Sequence, residues 1–114
     1  TGQREQEMLL RRLAHFDTLT GLPNRVLLAR KLAEFMERAQ ANDSLLGVAY
    51  LDLDGFKPVN DRLGHDAGDR LLVVAAQRLT RALRPQDCVA RLGGDEFVIL
   101  LPDLAHAQDC RHAL

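Results

Sequence analysis

The chain has 114 residues, enough for one domain with a single core. Lys+Arg 15 against Asp+Glu 16 excludes a generic polyanion-binding surface, so no nucleic-acid partner is expected and any phosphate chemistry has to be local. Cys88 and Cys110 have neither metal-ligand nor disulfide-framework spacing, and no apolar run is long enough to span a bilayer. Together these point to a reduced, cytoplasmic setting, compatible with a membrane anchor upstream in a longer parent protein.

Residues 3–15 are rich in Gln, Glu, Arg and Leu, and Leu9, Leu13 and Phe16 recur at i, i+4, i+7, which predicts a helix with a narrow apolar stripe. Such a stripe either packs on its own domain or pairs with a copy of itself as a coiled coil. Asp17-Thr18-Leu19-Thr20-Gly21-Leu22-Pro23-Asn24-Arg25 is dense in turn residues, with Gly21 and Pro23 stopping the first helix and Asn24 suited to cap a second. That second helix is expected from Arg25 to about Gln40, burying Leu28, Leu32, Phe35 and Ala39.

The continuous apolar run at 45–51 predicts a central strand covered on both faces. It ends in Asp52-Leu53-Asp54-Gly55-Phe56-Lys57, where strand geometry puts Asp52 and Asp54 on one side. Two readings are open: solvated loop acids, or carboxylates converging on a divalent cation, of which the second better explains like charges at a buried strand end. A short helix is predicted over 58–63, stopped by Gly64, and a long one from about Ala67 to Leu83 with Leu72, Ala76, Leu79 and Leu83 as its core stripe. Asp66 with Asp69 three residues on resembles a capping box, which accounts for Asp69 structurally. The segments 88–92 and 97–101 read as hairpin strands joined through Gly93 and Gly94, leaving Asp95 and Glu96 at a strand edge. Pro102-Asp103 reads as the start of a last helix from Leu104 onward. Both chain ends read as cuts in a longer polypeptide.

Three separated stretches agree with one family. The Asp17–Arg25 block, the block carrying Asp52, Phe56-Lys57, Asn60-Asp61, Gly64-His65 and Gly68-Asp69, and Gly93-Gly94-Asp95-Glu96-Phe97 together resemble a GGDEF domain of the diguanylate cyclase family. The resemblance implies an α/β (α+β) fold, a palm-like antiparallel or mixed sheet flanked by helices, similar to nucleotide cyclase and polymerase palms. It divides the chain into an N-terminal signalling helix or linker, 1–16, and a GGDEF domain, 17–114, that lacks the family's C-terminal strand and its basic triphosphate contacts. The implied reaction joins two GTP into cyclic di-GMP with release of two pyrophosphates, on two domains facing each other.

Residue by residue, the resemblance implies that Asp52, the Leu53 carbonyl and Asp95 hold Mg²⁺ or Mn²⁺. Asp95, Glu96 or hydroxide would take the 3′-hydroxyl proton. Gly55, Phe56 and Lys57 would meet the β- and γ-phosphates, and Gly93 and Gly94 would leave room for the nucleotide. Asn60 and Asp69 match the guanine readers, apt because a carboxylate accepts from N1–H and the 2-amino group together. His65 either lies near the substrate or packs the turn. Arg84-Pro85-Gln86-Asp87 stands five residues before Gly93, the offset of the family's inhibitory product site. The implied partners are GTP, cyclic di-GMP, a second copy of the chain and an upstream PAS-like sensor domain. A domain that senses cyclic di-GMP or GTP without catalysis is the competing expectation. Retention of Asp95 and Glu96 favours the enzyme, because degenerate members of the family lose these acids.

Overall fold

The structure, a computed structural model, describes residues 2–113, with side chains described through Cys110. Eight elements follow in order: α1 (Gly2–His15), α2 (Arg25–Asn42), β1 (Leu45–Asp52), α3 (Phe56–Leu63), α4 (His65–Ala82), β2 (Cys88–Gly93), β3 (Glu96–Leu104) and α5 (Gln108–Ala113). The strands form one antiparallel sheet in the order β1-β3-β2. The fold is therefore the expected α+β type, a sheet flanked by helices.

Two apolar clusters lie on opposite faces of the sheet, as the period-2 alternation of strand side chains requires. On one face Phe97, Ile99 and Leu101 of β3 pack with Val89, Leu22 and the α4 residues Leu72 and Ala76. On the other, Val98 and Leu100 pack with Cys88 and with Phe35 of α2. Among the described residues the strand covered on both faces is β3, whereas the apolar run predicts this for β1. Within the described sheet β1 pairs with β3 alone, and its Val48 and Tyr50 face out, Tyr50 77% exposed. The cover on that face is partial: Leu46 of β1 packs into the cluster beneath α2, while Val48 and Tyr50 stay exposed.

Local signals fare unevenly. Asn24 caps α2, its side-chain oxygen accepting from the amides of Val26 and Leu27 at 3.0 and 3.1 Å. The capping box at α4 does not form. The helix begins two residues earlier than expected, at His65, behind Gly64 with φ 90° and no side-chain cap, so Asp66 sits inside the first turn. Pro102 and Asp103 do not start a helix either; β3 runs through them to Leu104, and α5 begins at Gln108. Pro102, fully buried, falls with Asp103 at the register shift between the Leu101 and Leu104 pairs, where its missing amide costs no ladder bond, and Asp103 turns the chain at φ 59° while pairing with Arg38 at 3.2 Å.

The apolar stripe of α1 is not buried by its own domain. Leu9, Leu13 and Phe16 are 57%, 51% and 38% exposed, and a cleft of about 500 Å³ runs beside them to Asp17 and Gly21. Only the C-terminal end of the helix is fastened: the Asn24 side-chain amide donates to the Ala14 carbonyl at 2.9 Å, and Phe16 bridges to Pro23. No helix among the described residues is long and apolar enough to cross a membrane.

Candidate functional site

The site is assembled where β1 ends and β3 begins. Leu51 lies opposite Phe97, and Asp52 opposite Glu96. Directly paired residues on an antiparallel ladder share a face, so the register sets two exposed carboxylates side by side, an arrangement that is unfavourable unless a positive charge answers it. Asp95 is the preceding residue, half-buried in the two-residue turn. The turn depends on its glycines: Gly94 has φ 48° and Gly93 φ 154°, and a Cβ on either would meet no atom within 4 Å. The glycines are therefore demanded by backbone conformation, and the space above them is open.

β1 stops at Asp52. Asp54 lies in the following turn, so the strand geometry that would align it with Asp52 does not reach it. The Leu53 carbonyl accepts from the Phe56 amide at 3.3 Å, which leaves its second lone pair free. Gly55, at φ 87°, turns the chain into α3, where the Val59 amide donates to the Gly55 carbonyl at 3.0 Å and Lys57 is exposed on the first turn. Among the described residues no three His, Cys, Asp or Glu side chains gather as a ready metal cluster. Two carboxylates and one carbonyl are what the geometry offers. That set fits a hard cation such as Mg²⁺, which keeps water and substrate phosphates for its remaining positions.

Asn60 lies on the last turns of α3, and Asp69 on the first turns of α4, across the single-residue link Gly64. Asp69 is exposed and not consumed by a cap. His65 is exposed too, at the first position of α4, so it does not pack the turn.

Arg84 and Asp87 lie apart from this cluster, in the link between α4 and β2. The Asp87 carboxylate, 1% exposed, accepts from the Arg84 amide at 2.8 Å and from its guanidinium at 2.7 Å. Arg84 also donates to the Pro102 carbonyl at 2.7 Å. Hydrogen bonding to Asp87, set against burial, raises the affinity of the guanidinium for its proton. The pair is closed on itself, and Arg84 alone offers surface, at 38% exposure.

One connection escaped the motif reading. Arg91 donates to both Asp17 carboxylate oxygens at 2.9 and 3.1 Å and, through Nε, to the Gly94 carbonyl at 3.0 Å, while its amide donates to the Pro23 carbonyl. It ties the loop after α1 to the Gly-Gly turn. Burial opposes the charge on Asp17, but the Thr20 hydroxyl and amide and the Arg91 guanidinium outweigh it and hold the carboxyl below its usual range. The signal in the sequence was an acid opening one motif and a base two residues before another.

The family described as "Diguanylate cyclase, GGDEF domain" matches residues 14–114. The chain belongs to that family. Diguanylate cyclase TpbB of Pseudomonas aeruginosa is 45% identical over 106 residues, 93% of this chain and 24% of its own length. Its solved GGDEF domain superposes with a TM-score of 0.83 at 46% identity, covering 87% of this chain and 58% of that one. MucR of the same organism, a bifunctional diguanylate cyclase/cyclic di-GMP phosphodiesterase, is 51% identical over 89 residues, 78% of this chain and 13% of its own length. The coiled coil and GGDEF domain of DgcB from Caulobacter crescentus, solved in complex with c-di-GMP, matches at TM-score 0.85 and 32% identity, over 97% of this chain and 58% of that one. The chain thus spans about a quarter or less of the curated relatives it matches.

Proposed function

We propose that this GGDEF domain is the catalytic part of a diguanylate cyclase. Two GTP condense to cyclic di-GMP, each 3′-hydroxyl oxygen bonding to the α-phosphorus of the other nucleotide as pyrophosphate leaves. The observation that carries the reading is the register that pairs Asp52 with Glu96, the residue after Asp95, at an open glycine turn. Asp52, Asp95 and the Leu53 carbonyl would hold Mg²⁺ or Mn²⁺, which when bound neutralises phosphate charge and sharpens the nucleophile. The chain's own residues do the rest. The turn at Gly55–Lys57 and the Lys57 ammonium orient the β- and γ-phosphates, Asn60 and Asp69 select guanine, and Asp95 or Glu96 accepts the hydroxyl proton.

The site is half of a symmetric one, so two copies face each other, and residues 1–16 act as the signalling linker that brings them together under an upstream sensor. The exposed α1 stripe supports this, and the DgcB structure that matches 97% of this chain comprises a coiled coil together with the GGDEF domain. Arg84 and Asp87 form the site where cyclic di-GMP restrains the enzyme. The domain works in the cytoplasm.

The test is incubation of the full-length protein with GTP and Mg²⁺ and identification of the product. Cyclic di-GMP is expected. Asp52→Ala and Asp95→Ala should each lower turnover roughly a hundredfold or more, the equivalent of several kcal/mol of lost charge stabilisation. Unchanged turnover in either variant rejects the metal assignment.

A further inference from the structure

Gly68 is a glycine with no conformational excuse. It lies in the first turns of α4 with an ordinary helical backbone, where glycine is a poor choice and alanine a good one. It is also buried, the only such residue between Leu51 and Leu72. What it supplies is space, and the space is filled by one side chain. A Cβ built on Gly68 would stand 2.7 Å from Asn60 Cγ and 3.3 Å from Nδ2, and nearer still to Oδ1, with no other residue among its nearest contacts. The Asn60 amide therefore lies flat against the α4 backbone, beside the turn that carries Asp69.

We infer that Gly68 is a positioning residue for nucleotide recognition: its bare backbone seats the Asn60 amide so that Asn60 and Asp69 meet one base edge together. This rests on the proposed reading of Asn60 and Asp69 as the guanine contacts. The obstructed atoms are the free end of a two-torsion side chain, so a methyl at 68 displaces the Asn60 amide and leaves the α3–α4 packing in place. Stability and recognition are then separated. Gly68→Ala keeps or raises the melting temperature, because alanine is the better helix former, while recognition falls.

The experiment compares wild type, Gly68→Ala, Asn60→Ala and the double variant in the full-length protein, reading KM and kcat for GTP, the melting temperature and the side-chain amide resonance of Asn60. KM is expected to rise about tenfold in Gly68→Ala with kcat little changed, the loss of about one hydrogen bond made equally before and during reaction. Asn60→Ala should match it, and the double variant should add nothing to Asn60→Ala, since the partner of the clash is gone. A moved Asn60 resonance accompanies the KM change. A wild-type KM in Gly68→Ala, or full additivity in the double variant, overturns the proposal. If wild-type protein fails to take GTP, the guanine reading falls, and an Asn60 resonance left unmoved by Gly68→Ala would by itself overturn the positioning of Asn60.

Discussion

Arg91 carries more of the site's geometry than any residue that would touch the substrate. Its guanidinium is forked between Asp17 and the Gly94 carbonyl, 14% exposed against 17% for Asp17, so the pair is shielded well enough to exceed the value of a surface ion pair. Arg91→Ala should destabilise the domain by about 2 kcal/mol in denaturant titration, the range for hydrogen bonds to charged groups, and lower turnover by loosening the Gly-Gly turn. Arg91→Lys keeps the charge but not the fork, and should recover only part of both losses. The carboxyl of Asp17 is held below its unfolded value near 3.8, so its contribution is complete above that value and is lost as pH falls through the lower folded one. Acid unfolding followed by circular dichroism should therefore lose part of its slope below about pH 4 in Asp17→Asn. An unaltered acid limb would count against the pairing.

Among the elements, the link between α4 and β2 is where structure constrains the inhibitory reading most. Asp87 is spent on its own turn, so Arg84 is the group free to meet a product, and it does so only by sharing or releasing its bonds to Asp87 and Pro102. Arg84→Ala should relieve inhibition by added cyclic di-GMP; inhibition persisting at the same concentration removes the assignment. The same elements show what the sequence could disclose. Asn24 and the presence of the β2–β3 hairpin were legible because a cap and a tight turn are decided within a few residues, although the turn falls at Gly94-Asp95, one residue later than Gly93-Gly94. Pro102-Asp103 carried a helix-start signal, yet strand pairing across the sheet prevailed over it. The apolar run of β1 declared a strand but not its neighbours, since those are settled by which distant strands pair with it. The acids at 52, 95 and 96 were legible as types; their convergence needed the Asp52–Glu96 register, which no local pattern contains.

At the scale of the molecule, the described chain is a slab, 46 × 43 × 19 Å. Asp52, Lys57, Asp69 and Glu96 all lie on its surface, so one copy cannot enclose a nucleotide or keep water from the reacting phosphate. In the proposed function a second copy would supply the missing wall. Turnover per protomer should then rise with protein concentration, and Leu9→Asp with Leu13→Asp should move that rise to roughly hundredfold higher concentration, about 3 kcal/mol of lost seam. A rate independent of both concentration and these changes would reject the two-copy site. Tyr50, facing outward on β1, has a practical consequence. The chain has one tyrosine and no tryptophan, and that tyrosine stands two residues from Asp52 on the same side of the strand. Its emission is an unlabelled optical probe of the Asp52 end of the sheet, with no tryptophan in this chain to mask it.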